Sequence, residues 1–350
     1  MRATAAATRR SRKDRSMKQA MAEQDSLALE WKRLYAPIAV ELGAVEDMLR
    51  NELTSDDPFV DGLVKHAFRL GGKRLRPALV LLSARASGRV VRDHIVLAAV
   101  LEMIHTATLV HDDVLDEASM RRHCETINAV NDNEASVLVG DFLFTHAFYL
   151  ASSLETTFAC QTIGRATNAV CAGEMRQINT RGNFNVSEAE YLSIIEAKTA
   201  ELCACCCRLG AHYAGAKPDQ EDALDRYGRN LGIAFQIADD LLDLVGDEVS
   251  MGKSLGTDFE KQKPTLPLIR LLAESTPGER ATLVELLAAG GPSARSQLDA
   301  WLARSDAVEY SLNQARKYAR LAAEDARRLP PGPARDTLLA VAELVVSRRN

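Results

Sequence analysis

From about Ser26 onward, apolar residues recur three and four positions apart almost without interruption, and period-two alternation is scarce. That periodicity excludes sheets and predicts an all-α chain. Gly, Pro, Asn and Ser cluster in "RLGGKRLRP", "NTRGNFNVS", "GAKPDQED", "AAGGPSARS" and "LPPGPARD", which mark the helix breaks. None resembles an interdomain linker, so residues 26–350 read as one large domain of roughly a dozen helices. "VSEAEY" is a helix start: Ser187 suits the N-cap, Glu190 follows three residues on, and Val186 can staple to Tyr191.

A chain of 350 residues with 47% hydrophobic content can bury a large core. Its formal net charge of −5 argues against a nucleic-acid binder. No uninterrupted apolar run is long enough to predict a transmembrane helix. Four of the seven cysteines crowd into "CACCC" (Cys203, Cys205, Cys206, Cys207). Neighbours this close cannot staple distant parts of a fold, and the odd total fits a reducing, cytoplasmic compartment. Within a helix rich in small residues they read as core packing rather than a thiolate metal site. Residues 1–25 are basic and lack the apolar stretch of a secretory signal. They read as a disordered tail or as the product of an early start codon, with Met17 or Met21 as the real beginning. Organelle import is the minor alternative.

Chemistry concentrates in "HDDVLDEASMRR". Asp112, Asp113 and Asp116 sit within five residues, followed by Arg121 and Arg122. "IAFQIADDLLD" repeats the spacing with Asp239, Asp240 and Asp243. On a helix, i and i+4 share a face about 6 Å apart along the axis, so Asp112 pairs with Asp116 and Asp239 with Asp243. The middle aspartate lies about 100° round, within reach of the same region. Each motif offers a hard all-oxygen edge suited to Mg²⁺, which completes its shell with phosphate oxygens and water. Two such edges facing each other would clamp a diphosphate. A solvated acidic face is the alternative, but both copies adjoin apolar runs where charge is costly. Thr108 and His105 continue the Asp112 face back along the first helix. "GGKRLRP" supplies Lys73, Arg74 and Arg76, and "MGKSLGTDFEKQKPTLP" supplies Lys253, Asp258 and Lys263; such cations can hold phosphate.

Taken in order, "GGKRLRP", "EMIHTATLVHDDVLDEASMRR", "VGDFLF", "GEMRQ", "EAKTAEL", "GIAFQIADDLLDLVGDE" and "GKSLGTDFEKQKPTLPL" resemble the trans-polyprenyl diphosphate synthase family, medium- to long-chain type. The resemblance implies an all-α barrel of long helices around a central cavity, usually a homodimer. It implies head-to-tail condensation of isopentenyl diphosphate with an allylic diphosphate, and roughly two to three Mg²⁺ ions per site. Carried over by motif, Asp112, Asp116 and Asp239 would hold metal, and Asp113, Asp240 and Asp243 would support its shell. Arg121, Lys198, Lys253 and Lys263 would contact the allylic diphosphate. Lys73, Arg76, His105 and Arg122 would hold isopentenyl diphosphate. Thr199, Gln236 and the Lys198 carbonyl would face the allylic cation. The sequence departs from the family in two places. The paired arginines precede His123, Cys124 and Glu125 rather than Gly-x-Pro, and Gln262 stands where a glycine usually precedes the late lysine.

In this family, bulky residues four or five positions before the first acidic motif floor the cavity; here they are the small Thr108 and Ala107. An open floor favours products longer than farnesyl, from heptaprenyl to decaprenyl, with geranylgeranyl or farnesyl as the alternative. Such a product could be handed to a membrane. A regulatory subunit of a heteromeric synthase and a class I terpene cyclase are the other readings. The first typically lacks an acidic motif that is intact here; the second lacks the isopentenyl-site cations.

Overall fold

The computed structural model describes residues 29–69, 72–122, 124–246 and 256–347. The expected basic tail, Gly71, His123, Lys253, Arg348 and Arg349 lie outside the described residues.

The described residues are almost entirely helical. A short 3₁₀ turn, Ala36–Ile38, leads into α1 (Ala39–Glu52), α2 (Pro58–Arg69), α3 (Leu75–Ser87) and α4 (Arg92–Leu115). Then come α5 (Ile127–Val130), α6 (Asn133–Ser152), α7 (Phe158–Asn179) and α8 (Glu188–Ile195). A π turn, Glu196–Ala200, joins α8 to α9 (Glu201–Tyr213), and α10 (Pro218–Val245) follows. The chain closes with α11 (Thr257–Glu260), α12 (Leu266–Glu274), α13 (Pro277–Ala289), α14 (Gly291–Leu302), α15 (Ala307–Ala326) and α16 (Pro333–Ser347). Every break expected from Gly, Pro, Asn and Ser falls between helices. The N-terminus of α8 is built as its sequence predicts: Ser187 accepts a hydrogen bond from the Glu190 amide, and Val186 and Tyr191 bury in one cluster.

Two features escaped the periodicity. One is a two-residue antiparallel hairpin, β1 (Met120–Arg121) with β2 (Cys124–Glu125), in which Arg121 pairs with Cys124. It occupies the place where the sequence departs from Gly-x-Pro. The other is the π turn, which no apolar pattern announces.

The main core is formed chiefly by α3, α4, α6, α9, α10 and α16. α4 runs through its centre and is buried on nearly every side over its first sixteen residues. α9 packs against α3 and α10 through small residues, and all four cysteines of "CACCC" are buried there. Burial pushes their thiols up. A smaller core under α12–α15 is set mainly by leucines, including Leu283, Leu287, Leu298 and Leu302.

α4 and α6 are each long and apolar enough to cross a bilayer by length and composition, although neither contains the uninterrupted run that the sequence criterion required. α4 sits inside the bundle. α6 leaves Val137, Leu138 and Tyr149 exposed, at 42%, 66% and 69%.

Candidate active site

α4 and α10 both direct their acidic C-terminal ends into one cavity of about 1620 Å³. Asp112 and Asp116 line it from α4, and Asp239, Asp240 and Asp243 from α10. The two acidic edges expected from sequence therefore meet across a shared space.

The aspartates are not equivalent. The Asp112 side chain makes no hydrogen bond or ion pair among the described residues. Burial raises its pKa, Lys198 opposes that, and Glu174 adds to it. A half-buried carboxylate with no bonded partner suits a cation held jointly with phosphate oxygens. Asp113 does not line the cavity. It is 2% exposed and grips Arg121, with Arg121 Nε at 2.8 and 3.1 Å from its two oxygens. Asp116 sits among cations: Arg181 at 3.2 Å, Lys261 at 2.8 Å and Lys263 at 3.6 Å. Burial pushes its pKa up, but Lys263 and Lys261 outweigh that and hold it down.

In the second motif, Asp240 accepts hydrogen bonds from Tyr191 Oη at 2.6 Å and Gln236 Nε2 at 2.7 Å. Burial and the neighbouring Asp258 push its pKa up. Asp243 accepts from Thr257 Oγ1 at 3.2 Å and the Asp258 amide at 3.0 Å, so it fixes the start of α11. Asp239 lines the cavity. No three His, Cys, Asp or Glu side chains form a ready-made metal cage among the described residues. Thus the last aspartate of each motif has protein partners of its own, Lys and Arg at Asp116 and the start of α11 at Asp243. Spacing alone could not distinguish these roles.

Two separate groups of cations enter the same cavity. Lys198, from the π turn, donates to Gln177 Oε1 at 2.8 Å and pairs with Glu174. The turn is possible because two helices come unusually close to it. A Cβ on Gly173 of α7 would lie 2.7 Å from the Lys198 amide nitrogen, and one on Gly232 of α10 would overlap Ala200. The glycines of "GEMRQ" and "GIAFQ" are therefore packing requirements of the π turn. Thr199 donates to Gln236 Oε1 at 2.7 Å, which links it through Gln236 to Asp240. Lys263 pairs with Asp258 at 3.2 Å; burial lowers its pKa, but Asp258 and Asp116 outweigh that and raise it.

The second group is Lys73, Arg76, Arg122 and His105, all lining the cavity. Arg76 Nε is buried without a hydrogen-bond partner. The Arg122 guanidinium lies against Gly72 so closely that a Cβ there would overlap it. Burial, then Arg76, Arg122 and Arg121, depress His105 well below its ordinary value, so it contributes a neutral imidazole. Lys73 sits over the Trp31 ring, 5.6 Å from its centroid, a contact the sequence did not suggest. Arg74, read from sequence with Lys73 and Arg76 as a phosphate cation, also lines the cavity but is already claimed by carboxylates. It bonds Glu46 at 2.6 Å and Glu102 at 2.8 Å and braces α3 against α1 and α4.

Thr108 lines the cavity, and its hydroxyl donates to the His105 carbonyl at 2.8 Å. Ala107 is fully buried in the core and is not part of the lining. Leu109, Ile194 and Phe235 add apolar wall.

Facing carboxylates, two cation groups and an adjoining apolar wall define an all-α enzyme built to take diphosphate esters of hydrocarbons. Comparison with known proteins gives the particular family. The family described as polyprenyl synthetase matches residues 57–303. The chain is 37% identical over 313 residues to the octaprenyl diphosphate synthase of Escherichia coli K12, covering 89% of this chain and 96% of that one. It is 36% identical over 325 residues to an all-trans-nonaprenyl-diphosphate synthase (geranyl-diphosphate specific) of Rhodobacter capsulatus, covering 92% and 99%. A crystal structure of polyprenyl synthase from Caulobacter crescentus CB15, complexed with calcium and isoprenyl diphosphate, superposes with a TM-score of 0.87 at 36% identity, over 91% of this chain and 98% of that one. The chain belongs to the polyprenyl synthetase family. It is a prenyltransferase of isoprenoid biosynthesis, a trans-polyprenyl diphosphate synthase of medium- to long-chain type.

Proposed function

We propose that this chain elongates an allylic diphosphate with isopentenyl diphosphate, using Mg²⁺, to heptaprenyl through decaprenyl length, in the cytoplasm and as a homodimer. One observation carries the reading: the two acidic motifs and the two cation groups share a single cavity.

Asp112, Asp116 and Asp239 are the residues that would hold Mg²⁺, roughly two to three ions with the diphosphate. When bound, the ions neutralise charge on the leaving diphosphate. Arg121, positioned by Asp113, together with Lys198 and Lys263, adds fixed positive charge where that charge develops. The unpaired edge of Asp112 and the buried donors around it are therefore worth most in the transition state. Thr199 and Gln236, bonded to each other on the cavity wall, would supply oxygen dipoles that favour an allylic cation beside them. Apolar walls keep water from quenching it. Lys73, Arg76 and Arg122 hold isopentenyl diphosphate, with neutral His105 as a hydrogen-bonding part of the same wall. The double bond of isopentenyl diphosphate attacks the allylic carbon, the C–O bond having broken. A proton then leaves to the departed diphosphate, since among the described residues no side chain is placed as a dedicated base.

Thr108 leaves the floor beneath Asp112 open. Each five-carbon unit buried gains about 3–4 kcal/mol at ~0.8 kcal/mol per CH₂, before ordering costs. The exposed Val137, Leu138 and Tyr149 on α6 suit a second copy of the chain. The test is chain-length analysis of dephosphorylated products from the purified chain, with Mg²⁺ or with EDTA. The reading expects metal-dependent products of roughly 35 to 50 carbons. A product of 15 or 20 carbons would overturn the length, and no turnover by the chain alone would overturn its self-sufficiency.

A further inference from the structure

Most cations at the acidic end of the cavity have a carboxylate partner apart from Asp116. Arg121 has Asp113, Lys198 has Glu174, and Lys263 has Asp258. Lys261 is different. Its ammonium reaches the Asp116 carboxylate at 2.8 Å and also the Asp116 carbonyl, and these are its side-chain partners among the described residues. It lines the cavity beside Lys263. Asp116 does not depend on it, because Arg181 contacts the same carboxylate from outside the cavity lining and Lys263 approaches the other oxygen. One carboxylate thus faces three cations, two of them on the cavity wall, and of those Lys261 is surplus because Lys263 also has Asp258.

The segment that carries Lys261 is held on both sides. Asp243 binds its start through Thr257 and the Asp258 amide. Gln262 adopts φ +52°, its carbonyl accepts from the Gly182 amide at 2.9 Å, and its Nε2 donates to the Ala288 carbonyl at 3.1 Å. A backbone fixed this firmly aims Lys261 and Lys263 at one spot while leaving the lysine tips free to turn.

We propose that Lys261 is a further diphosphate-binding residue of the allylic site, paired with Asp116 when no divalent cation is bound and turned to the diphosphate when Asp116 takes one. This deepens the proposed function and rests on its placing the allylic diphosphate between the acidic motifs. Two effects of opposite sign follow. In the empty site Lys261 competes with metal for Asp116. In the filled site it adds a charge-assisted hydrogen bond to phosphate, worth about tenfold in affinity.

The experiment compares wild type, Lys261→Gln and Lys261→Arg by calorimetry, after circular dichroism has established that each is folded. Mn²⁺ binding to the substrate-free protein should tighten in Lys261→Gln. Inorganic pyrophosphate binding in saturating Mg²⁺ should weaken about tenfold, and Lys261→Arg should recover most of it. Weakening of both would mean that Lys261 merely supports the loop. No change in either, or a change in only one, would overturn the exchange as well. Asp239→Ala serves as the control. If pyrophosphate binding in Mg²⁺ survives there, the fault lies in the placement of the diphosphate and not in Lys261.

Discussion

The two acidic motifs share a spacing and differ in what surrounds them. In "DDVLD", Asp113 is tied to Arg121, and Asp116 stands among Arg181, Lys261 and Lys263. In "DDLLD", the partners of Asp240 are Tyr191 and Gln236, and Asp243 holds Thr257 and the backbone amide of Asp258. Asp113 and Asp116 are thus balanced by charge and Asp240 by dipoles. Formal charges attract at longer range and are exchanged readily when a stronger cation arrives. Neutral hydrogen bonds fix geometry without adding positive charge. Asp116 is set up to trade partners, Asp240 to hold a position.

The comparison breaks first if the leading aspartates are unequal. Asp112→Ala and Asp239→Ala should each lower turnover by at least about a thousandfold, since each removes a ligand most valuable as charge develops on the leaving group. Circular dichroism should remain native, because neither side chain supports the core. Near-normal turnover of either variant in saturating Mg²⁺ would sink the assignment. The middle aspartates should separate next. Asp113→Asn leaves the Arg121 guanidinium with a neutral partner and should cost about a hundredfold in kcat/KM for the allylic substrate, through misplacement. Asp240→Asn keeps an acceptor for Tyr191 and should cost only about tenfold, the order of one charge-assisted hydrogen bond. If Asp240→Asn proves the more damaging, the division into charge-held and dipole-held aspartates is wrong.

Much of this was legible in the chain because it depends on period and order. Helical repeats gave the fold class, Gly and Pro clusters gave the breaks, and the paired acidic motifs gave the cavity's two edges. What the chain concealed depends on approach between distant segments. Nothing in "EAKTA" announces a π turn, which exists because Gly173 and Gly232 let two helices close on it. Arg74 reads like its neighbours Lys73 and Arg76 until Glu46 and Glu102 are seen to claim it. Arg181 and Lys261 carry no motif of their own, and only the fold brings them to Asp116. One signal was available: "KQK" places a second lysine two residues before Lys263, and only Lys263 was assigned to the diphosphate.

The apolar wall supplies a third contrast, between adjacent positions of α4. Thr108 lies on the cavity and Ala107 in the core, so a bulky side chain has different consequences at each. Thr108→Phe should shorten the main product by at least one five-carbon unit while the first condensation survives, because the diphosphate sites are untouched. Ala107→Tyr would overpack a fully buried site, at a cost of about 1–3 kcal/mol. It should lower the melting temperature more than it changes product length. Product analysis and thermal melts of the two single variants decide this, and an unchanged product in Thr108→Phe would place the floor elsewhere.

The smallest effect concerns pH and sharpens the contrast between charge and dipole. Asp116 is held below its ordinary value by Lys263 and Lys261 against the effect of burial, so its contribution to stability is present above the unfolded value of 3.8 and is lost only as pH falls below it. Asp240 is pushed the other way by burial and Asp258. Its folded form binds a proton that its unfolded form has released, so between 3.8 and the raised value stability declines as pH rises, by at most about 1.4 kcal/mol per pH unit. His105 adds an opposite slope. Its depressed imidazole stays neutral in the fold, so stability falls as pH drops below the unfolded value of 6.5. Wild type alone therefore shows a blurred profile, and the informative quantity is the difference between proteins. In EDTA, urea melts from pH 5 to 8 should show Asp240→Asn gaining stability relative to wild type as pH rises. Asp116→Asn should show a constant difference over the same window, because Asp116 remains ionised throughout. Parallel curves for wild type and Asp240→Asn would mean that Tyr191 and Gln236 stabilise the Asp240 carboxylate as fully as lysines stabilise Asp116, and the two motifs would differ in the identity of their partners but not in electrostatics.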